Sequence, residues 1–239
     1  SFDEFMAVLN DGRDRVERGW KVKINWILTV SRDEPRRADE TFRWASSATG
    51  RKNNVVGFGL VGSEASQPAG QFERAFHAAQ KKAVPTVIQA GNSQGAEGIL
   101  AALELGPKRL VDAWGLLDSP EAQDHIIQND IPVIVCLSRV KHLGLIKNIA
   151  DYPFKDLIQA HIPLIISAEM PSFYKHTLND EYAAAHHDCG LSPDELVEIT
   201  LGSIQYSFLP EDEKAAMITD FLTEYETLQT EHLTESATE

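Results

Sequence analysis

The chain has 239 residues, 43% of them hydrophobic and 24% charged, enough for one globular domain with a sizeable core. A formal net charge of −14 sets the surface against phosphate backbones and argues against nonspecific nucleic-acid binding. No apolar run reaches transmembrane length, and the two cysteines, Cys136 and Cys189, form no Cys-x-x-Cys pair, which argues against a disulfide scaffold and a thiolate zinc site.

The acidic start, Ser1-Phe2-Asp3-Glu4-Phe5, lacks the pattern of a signal peptide. With so few cysteines it suggests a reducing, cytoplasmic setting. Val22–Val30 is rich in β-branched and aromatic residues and reads as the first strand. Val55–Leu60, Thr86–Ala90, Leu110–Ala113, Pro132–Cys136 and Pro163–Ser167 follow as short, almost continuously apolar runs, the pattern of parallel strands covered on both faces. Helical patterns lie between them. Phe72, Phe76 and Ala79 fall on one helical face, as do Ile99, Ala102 and Leu103. Ser192-Pro193-Asp194-Glu195 is a helix start, with Ser192 as cap, Pro193 in the first turn and Glu195 closing a capping box. The alternation predicts an α/β fold of about six parallel β/α units joined by right-handed crossovers, in a single domain over residues 1–228. The acidic, apolar-poor segment 229–239 reads as a frayed tail.

The segment ending Gln89-Ala90-Gly91-Asn92 resembles the His-Ala-Gly-Glu box of the adenosine and adenine deaminases, with Gln89 at the metal-binding His and Asn92 at the proton-moving Glu. Four further segments resemble the same family in the same order. They are Val55–Glu64 with its Gly62 (fourth strand), Arg109–Trp114 (sixth), Ile134–Arg139 (seventh) and Ser167–Phe173 (eighth). Asn179–Tyr182 and Ser203–Phe208 match landmarks in the family's C-terminal helices. The likeness runs from about Ile27 to Lys214. It implies a (β/α)8 TIM-type barrel with its site at the strand C-termini, here incomplete, showing family strands 3 to 8. It also implies a zinc-activated water attacking an amino-bearing purine carbon.

Carried over residue by residue, the resemblance loses most of that chemistry. Gln89 is a poor zinc ligand and Asn92 exchanges no proton near neutral pH. Asp112 stands at the His that orients the attacking water, Glu169 at the metal-binding Asp of the eighth strand, and Met170 at the Asp after it. The family's first-strand His-x-His does not occur, and His186-His187 are adjacent on a helix and expected to point apart. The zinc ligands are therefore not retained. Gly62 matches a glycine whose backbone contacts the purine, so a purine-like pocket with Gly62, Gln89, Arg139 and Met170 as lining residues is expected.

Asp112 and Glu169 at two strand ends suit a hard cation such as Mg²⁺ or an acid–base pair. They equally suit a solvated remnant held by Arg109 or Arg139. Gln89 and Asn92 suit either a base edge or the anchoring of loops. Cys136 on an apolar strand reads as core, and the four tryptophans as packing residues. Three functions follow. The first is a deaminase-like protein without zinc hydrolysis, serving as a pseudoenzyme, binding subunit or scaffold. The second is an enzyme with altered chemistry on a nucleoside-like or heterocyclic substrate, using Asp112, Glu169 and position Asn92. The third is a deaminase completed by another chain. A homo- or hetero-oligomeric partner is expected to supply the missing barrel strands, with a cleaved precursor and a differently closed sheet as the alternatives, and neither nucleic acid nor membrane is expected as partner.

Overall fold

The computed structural model describes residues 1–20 and 22–232. Its elements are α1 (Phe2–Trp20), β1 (Trp26–Ser31), α2 (Ala38–Ala45), α3 (Ala48–Lys52), β2 (Val55–Val61), α4 (Glu73–Lys81), β3 (Thr86–Ala90), α5 (Gly95–Leu103), β4 (Arg109–Asp112), α6 (Pro120–Gln128), β5 (Val133–Val135), α7 (Leu137–His142), α8 (Phe154–Gln159), β6 (Leu164–Ile166), α9 (Pro171–Tyr174), α10 (Leu178–His187), α11 (Pro193–Gln205) and α12 (Glu211–His232). The strands follow chain order in one sheet, β1-β2-β3-β4-β5-β6. The strand pairs β1–β2, β2–β3, β3–β4 and β4–β5 are all parallel. These are the parallel β/α units that the alternation predicts, and they accord with the incomplete barrel that the resemblance implies. Two compact units divide the chain, one of residues 1–134 with 159–162, the other of residues 135–158 with 163–239.

In the first unit, β2 is buried along most of its length because helices cover the sheet. Phe58 packs against Phe76 with the rings tilted at 37° and their centroids 4.7 Å apart, and meets Phe42 edge-on at 6.0 Å, joining β2 to α4 and α2. Phe58, Phe76, Leu60, Ile88 and Leu110 are fully buried. Each such side chain contributes about 1.5–3 kcal/mol of hydrophobic stabilisation. Phe72, Ala79, Ile99, Ala102 and Leu103 are buried as their helical spacing predicts. In the second unit all of β6 is buried, with Leu191 from the α10–α11 connection and Ile199 and Ile204 from α11 also in the core. Ser192 caps α11 as expected, accepting from the Glu195 N–H, while the Glu195 carboxylate accepts from the Ser192 N–H at 2.7 Å.

Several expectations shift. The first strand begins at Trp26 rather than Val22, because the Ile24 N–H is taken by Glu17 Oε1 at 2.8 Å instead of by a ladder. Strands expected at Pro132–Cys136 and Pro163–Ser167 lose a residue at each end. The tail expected to fray from residue 229 is still helical through His232, and the rest of it, residues 233–239, lies outside the described residues. Helix α1 was not foreseen. Trp20 at its end is 78% exposed rather than packed. His186 and His187 do not point apart: their rings lie 4.8 Å from each other, and His186 Nδ1 bonds the Leu191 carbonyl at 2.6 Å. No helix among the described residues is long and apolar enough to cross a membrane.

Candidate functional site

The register of β3 and β4 sets Gln89 beside Val111 and Ala90 beside Asp112. In an uninterrupted strand Asp112 would share Ala90's face, opposite Gln89. Asp112 instead turns through φ 73° and Ala113 through φ 47°, a left-handed step that breaks the alternation at the strand end. The carboxylate thereby reaches the side-chain amides at and just after the end of β3. Gln89 Nε2 donates to Asp112 Oδ2 at 2.9 Å and Asn92 Nδ2 donates to the same oxygen at 2.6 Å. The other end of the Gln89 amide accepts from the Gly62 N–H at 3.0 Å. One glutamine thus ties the ends of β2, β3 and β4 together. Gly62, the expected purine contact, spends its N–H on that glutamine. Asn92 Oδ1 is buried without a hydrogen-bond partner.

Glu64, only 5% exposed, builds the floor under this cluster. Its carboxylate accepts from the Gly91 N–H at 2.9 Å, the Ser93 N–H at 3.0 Å and the Gln94 N–H at 3.3 Å, fixing the turn between β3 and α5. Gly91 is required here. It has φ 91°, and a Cβ on it would stand 2.6 Å from the Trp114 carbonyl oxygen. Arg32, 1% exposed, donates to the carbonyls of Gln67 at 3.0 Å and Gln89 at 2.8 Å. Burial lowers its pKa from the usual arginine range, and the Glu64 charge opposes that shift. Arg109 lies at the opposite end of β4 from Asp112, and burial lowers its pKa to about 10.

The remaining expected residues belong to the second unit. Arg139 Nε pairs with Glu169 Oε2 at 2.7 Å, the arginine buried and the glutamate partly exposed. Met170 is 55% exposed in a left-handed turn at φ 45°. Glu181, fully buried, accepts from the Leu137 N–H at 2.7 Å and the Ser138 N–H at 3.2 Å, holding the start of α7. His176 Nδ1 lies 3.7 Å from the same carboxylate. The Cys136 thiol donates weakly to Glu181 at 3.5 Å, and burial pushes its pKa up, the environment of a structural thiol. Asp112 and Glu169 fall in different units, each with its own partners. Arg32, Glu64 and Glu181 carry structural duties that sequence reasoning did not assign. Glu64 and Glu181 do stand inside segments that the resemblance marks, which was the available signal.

These residues do not fit the zinc that the fold implies. Around β3 and β4 the donors are one carboxylate and two amides, and the Gln89 amide is engaged at both ends. Zinc prefers imidazole, thiolate and carboxylate ligands. Among the described residues no group of three or more His, Cys, Asp or Glu could hold a metal ion.

The model of the adenosine deaminase family matches residues 1–224. An aminodeoxyfutalosine deaminase of Streptomyces coelicolor is 26% identical over 213 residues, spanning 88% of this chain and 55% of that protein. An adenine deaminase of Sphingopyxis alaskensis is 29% identical over 218 residues, spanning 90% of this chain and 63% of that one. Among solved structures, an Arabidopsis N6-mAMP deaminase superposes with a TM-score of 0.76 at 25% identity, over 84% of this chain and 60% of the other. An amidohydrolase of Burkholderia ambifaria with bound zinc shares the fold, with a TM-score of 0.88 at 18% identity, over 96% of this chain and 64% of that one. The chain thus spans between half and two thirds of the length of these relatives.

Proposed function

The chain belongs to the adenosine deaminase family, and we propose that it is a non-hydrolytic member, a binding or scaffolding protein in which the strand-end polar groups hold the barrel loops. The observation that carries this reading is the Gln89 amide, bonded at once to the Gly62 N–H and the Asp112 carboxylate. Hydrolytic deamination needs a group that accepts a proton from water and delivers it to the leaving amine. Asn92 stands where the family resemblance puts that group, and its amide donates to Asp112 instead. An amide offers no proton exchange near neutral pH. Asp112 Oδ2 accepts from both the Gln89 and the Asn92 amides.

The test is release of ammonia or methylamine from adenine, adenosine and N6-methyl-AMP by the purified chain, with added zinc and with a chelator. The expected outcome is release equal to the protein-free blank under both conditions. Zinc-dependent turnover that the chelator abolishes would overturn the reading. A companion thermal-shift series with the same purines separates the two non-hydrolytic roles. A retained pocket gives a midpoint that rises with ligand concentration, whereas a pure scaffold gives none.

A further inference from the structure

The C-terminal helix α12 is unusually bare. Of its 22 residues only Lys214 is buried, while Met217, Phe221, Leu222 and Leu228 are each about 40% exposed. Beside it, α11 and α12 frame an apolar groove of about 450 Å³, with Val197 and Leu201 on one wall and Phe221, Leu222 and Leu228 on the other. Tyr225 on α12 closes one stretch of it by donating its hydroxyl to Asp194 Oδ1 at 3.3 Å. Contiguous exposed apolar surface with a polar rim marks an interaction site.

The rim is of one sign. Asp220 and Glu224 line the groove, and Asp194 and Glu198 are exposed along α11. From Pro193 to His232 the sequence holds ten carboxylates and a single basic side chain of the lysine or arginine type, Lys214, which pairs with Glu211 at 2.8 Å. A second copy of the chain would bring the same acidic rim against this one, and anionic lipid or nucleic acid would be repelled. An occupant must therefore offer apolar anchors at helical spacing with cationic flanks. We propose that the α11–α12 groove docks a cationic amphipathic helix of a partner protein. This does not depend on whether the strand-end cluster turns over a substrate.

The experiment is fluorescence anisotropy with a labelled amphipathic peptide built of leucine and lysine, compared with one built of leucine and glutamate. The intact chain is expected to bind the first and not the second. Phe221→Ser and Leu222→Ser remove anchors at exposed positions without changing charge, and each is expected to weaken binding at least about tenfold. The double variant Asp220→Lys with Glu224→Lys is expected to reverse the preference between peptides. Far-UV circular dichroism establishes that each variant is folded. Unchanged affinity in both serine variants would overturn the proposal, because attraction to the general negative surface survives loss of the anchors. So would a dimer in sedimentation that Phe221→Ser disperses, because the groove would then belong to a second copy.

Discussion

Replacing Gln89 by glutamate tests the strand-end cluster most directly. The Gln89 amide is oriented by its neighbours. Gly62 offers an N–H and so demands the oxygen, which leaves the NH2 facing Asp112 Oδ2 at 2.9 Å. In Gln89→Glu the first contact survives and the second becomes oxygen against oxygen. Two unit charges at that separation repel by about 6 kcal/mol at an effective dielectric of 20, an upper figure because the side chains will shift apart. The folded variant therefore relieves the repulsion by keeping one proton between the two carboxyls, which raises the folded-state pKa of the pair above the unfolded value of about 4.3. Below that pH the carboxylic O–H replaces the amide N–H, and the variant should lie within about 1 kcal/mol of the parent. Above it the folded state holds a proton that the unfolded chain has released. Stability relative to the parent then falls by about 1.4 kcal/mol per pH unit and levels off once the pair ionises. The expected plateau is about 3–5 kcal/mol, the usual result of an uncompensated buried charge. All four tryptophans lie in the first unit, so urea unfolding followed by tryptophan emission from pH 4 to pH 8 reads this unit alone. A difference between variant and parent that stays constant with pH would refute the placement of the Gln89 NH2 against Asp112.

Three further outcomes are expected. Glu64→Ala strands the N–H groups of Gly91, Ser93 and Gln94 and leaves Arg32 without its counter-charge, a loss of about 3–5 kcal/mol. Hydrogen exchange at those three amides should speed up before that of the neighbouring strands, and retained protection would contradict the assignment. Gly91→Ala places a Cβ against the Trp114 backbone at a positive φ and should destabilise the first unit by about 3 kcal/mol or more, read by the same urea titration. Cys189, whose pKa burial and then Asp188 raise to about 11, should hold on the order of 100-fold less thiolate at pH 8 than an ordinary cysteine. Its alkylation should be correspondingly slow and should accelerate until pH 11; rapid labelling at pH 8 would refute the burial.

What the chain discloses before folding follows from the range of the forces involved. Strand positions were legible because burial on both faces forces continuous apolar runs, as in Val55–Val61. The α11 start was legible because a capping box is complete within four residues, Ser192 to Glu195. Helix α1 was missed because its apolar residues gather at residues 5–9 and thin out over the polar second half of the segment, with Met6 alone buried in the helix and Val8 and Trp20 left in solvent.

The site divides along the same line. That Gln89, Asn92 and Asp112 lie near strand ends could be inferred from their places after apolar runs. That one amide spans three strand ends could not. It depends on the β3–β4 register and on a left-handed step at Asp112, which an aspartate adopts more readily than most residues but which its identity alone does not specify. Glu64 and Glu181 show the limit most plainly. Each accepts backbone N–H groups from residues 27 to 44 positions away, and a backbone N–H has no side-chain identity to recognise. A buried carboxylate that gathers main-chain donors looks, in sequence, like any acidic residue in a loop or on a helix. Only the fold shows that these two are spent on holding β3–α5 and β5–α7 in place. Side-chain identity at the strand ends therefore supplies the candidates for chemistry, while their hydrogen-bond partners decide how many of them remain available for it.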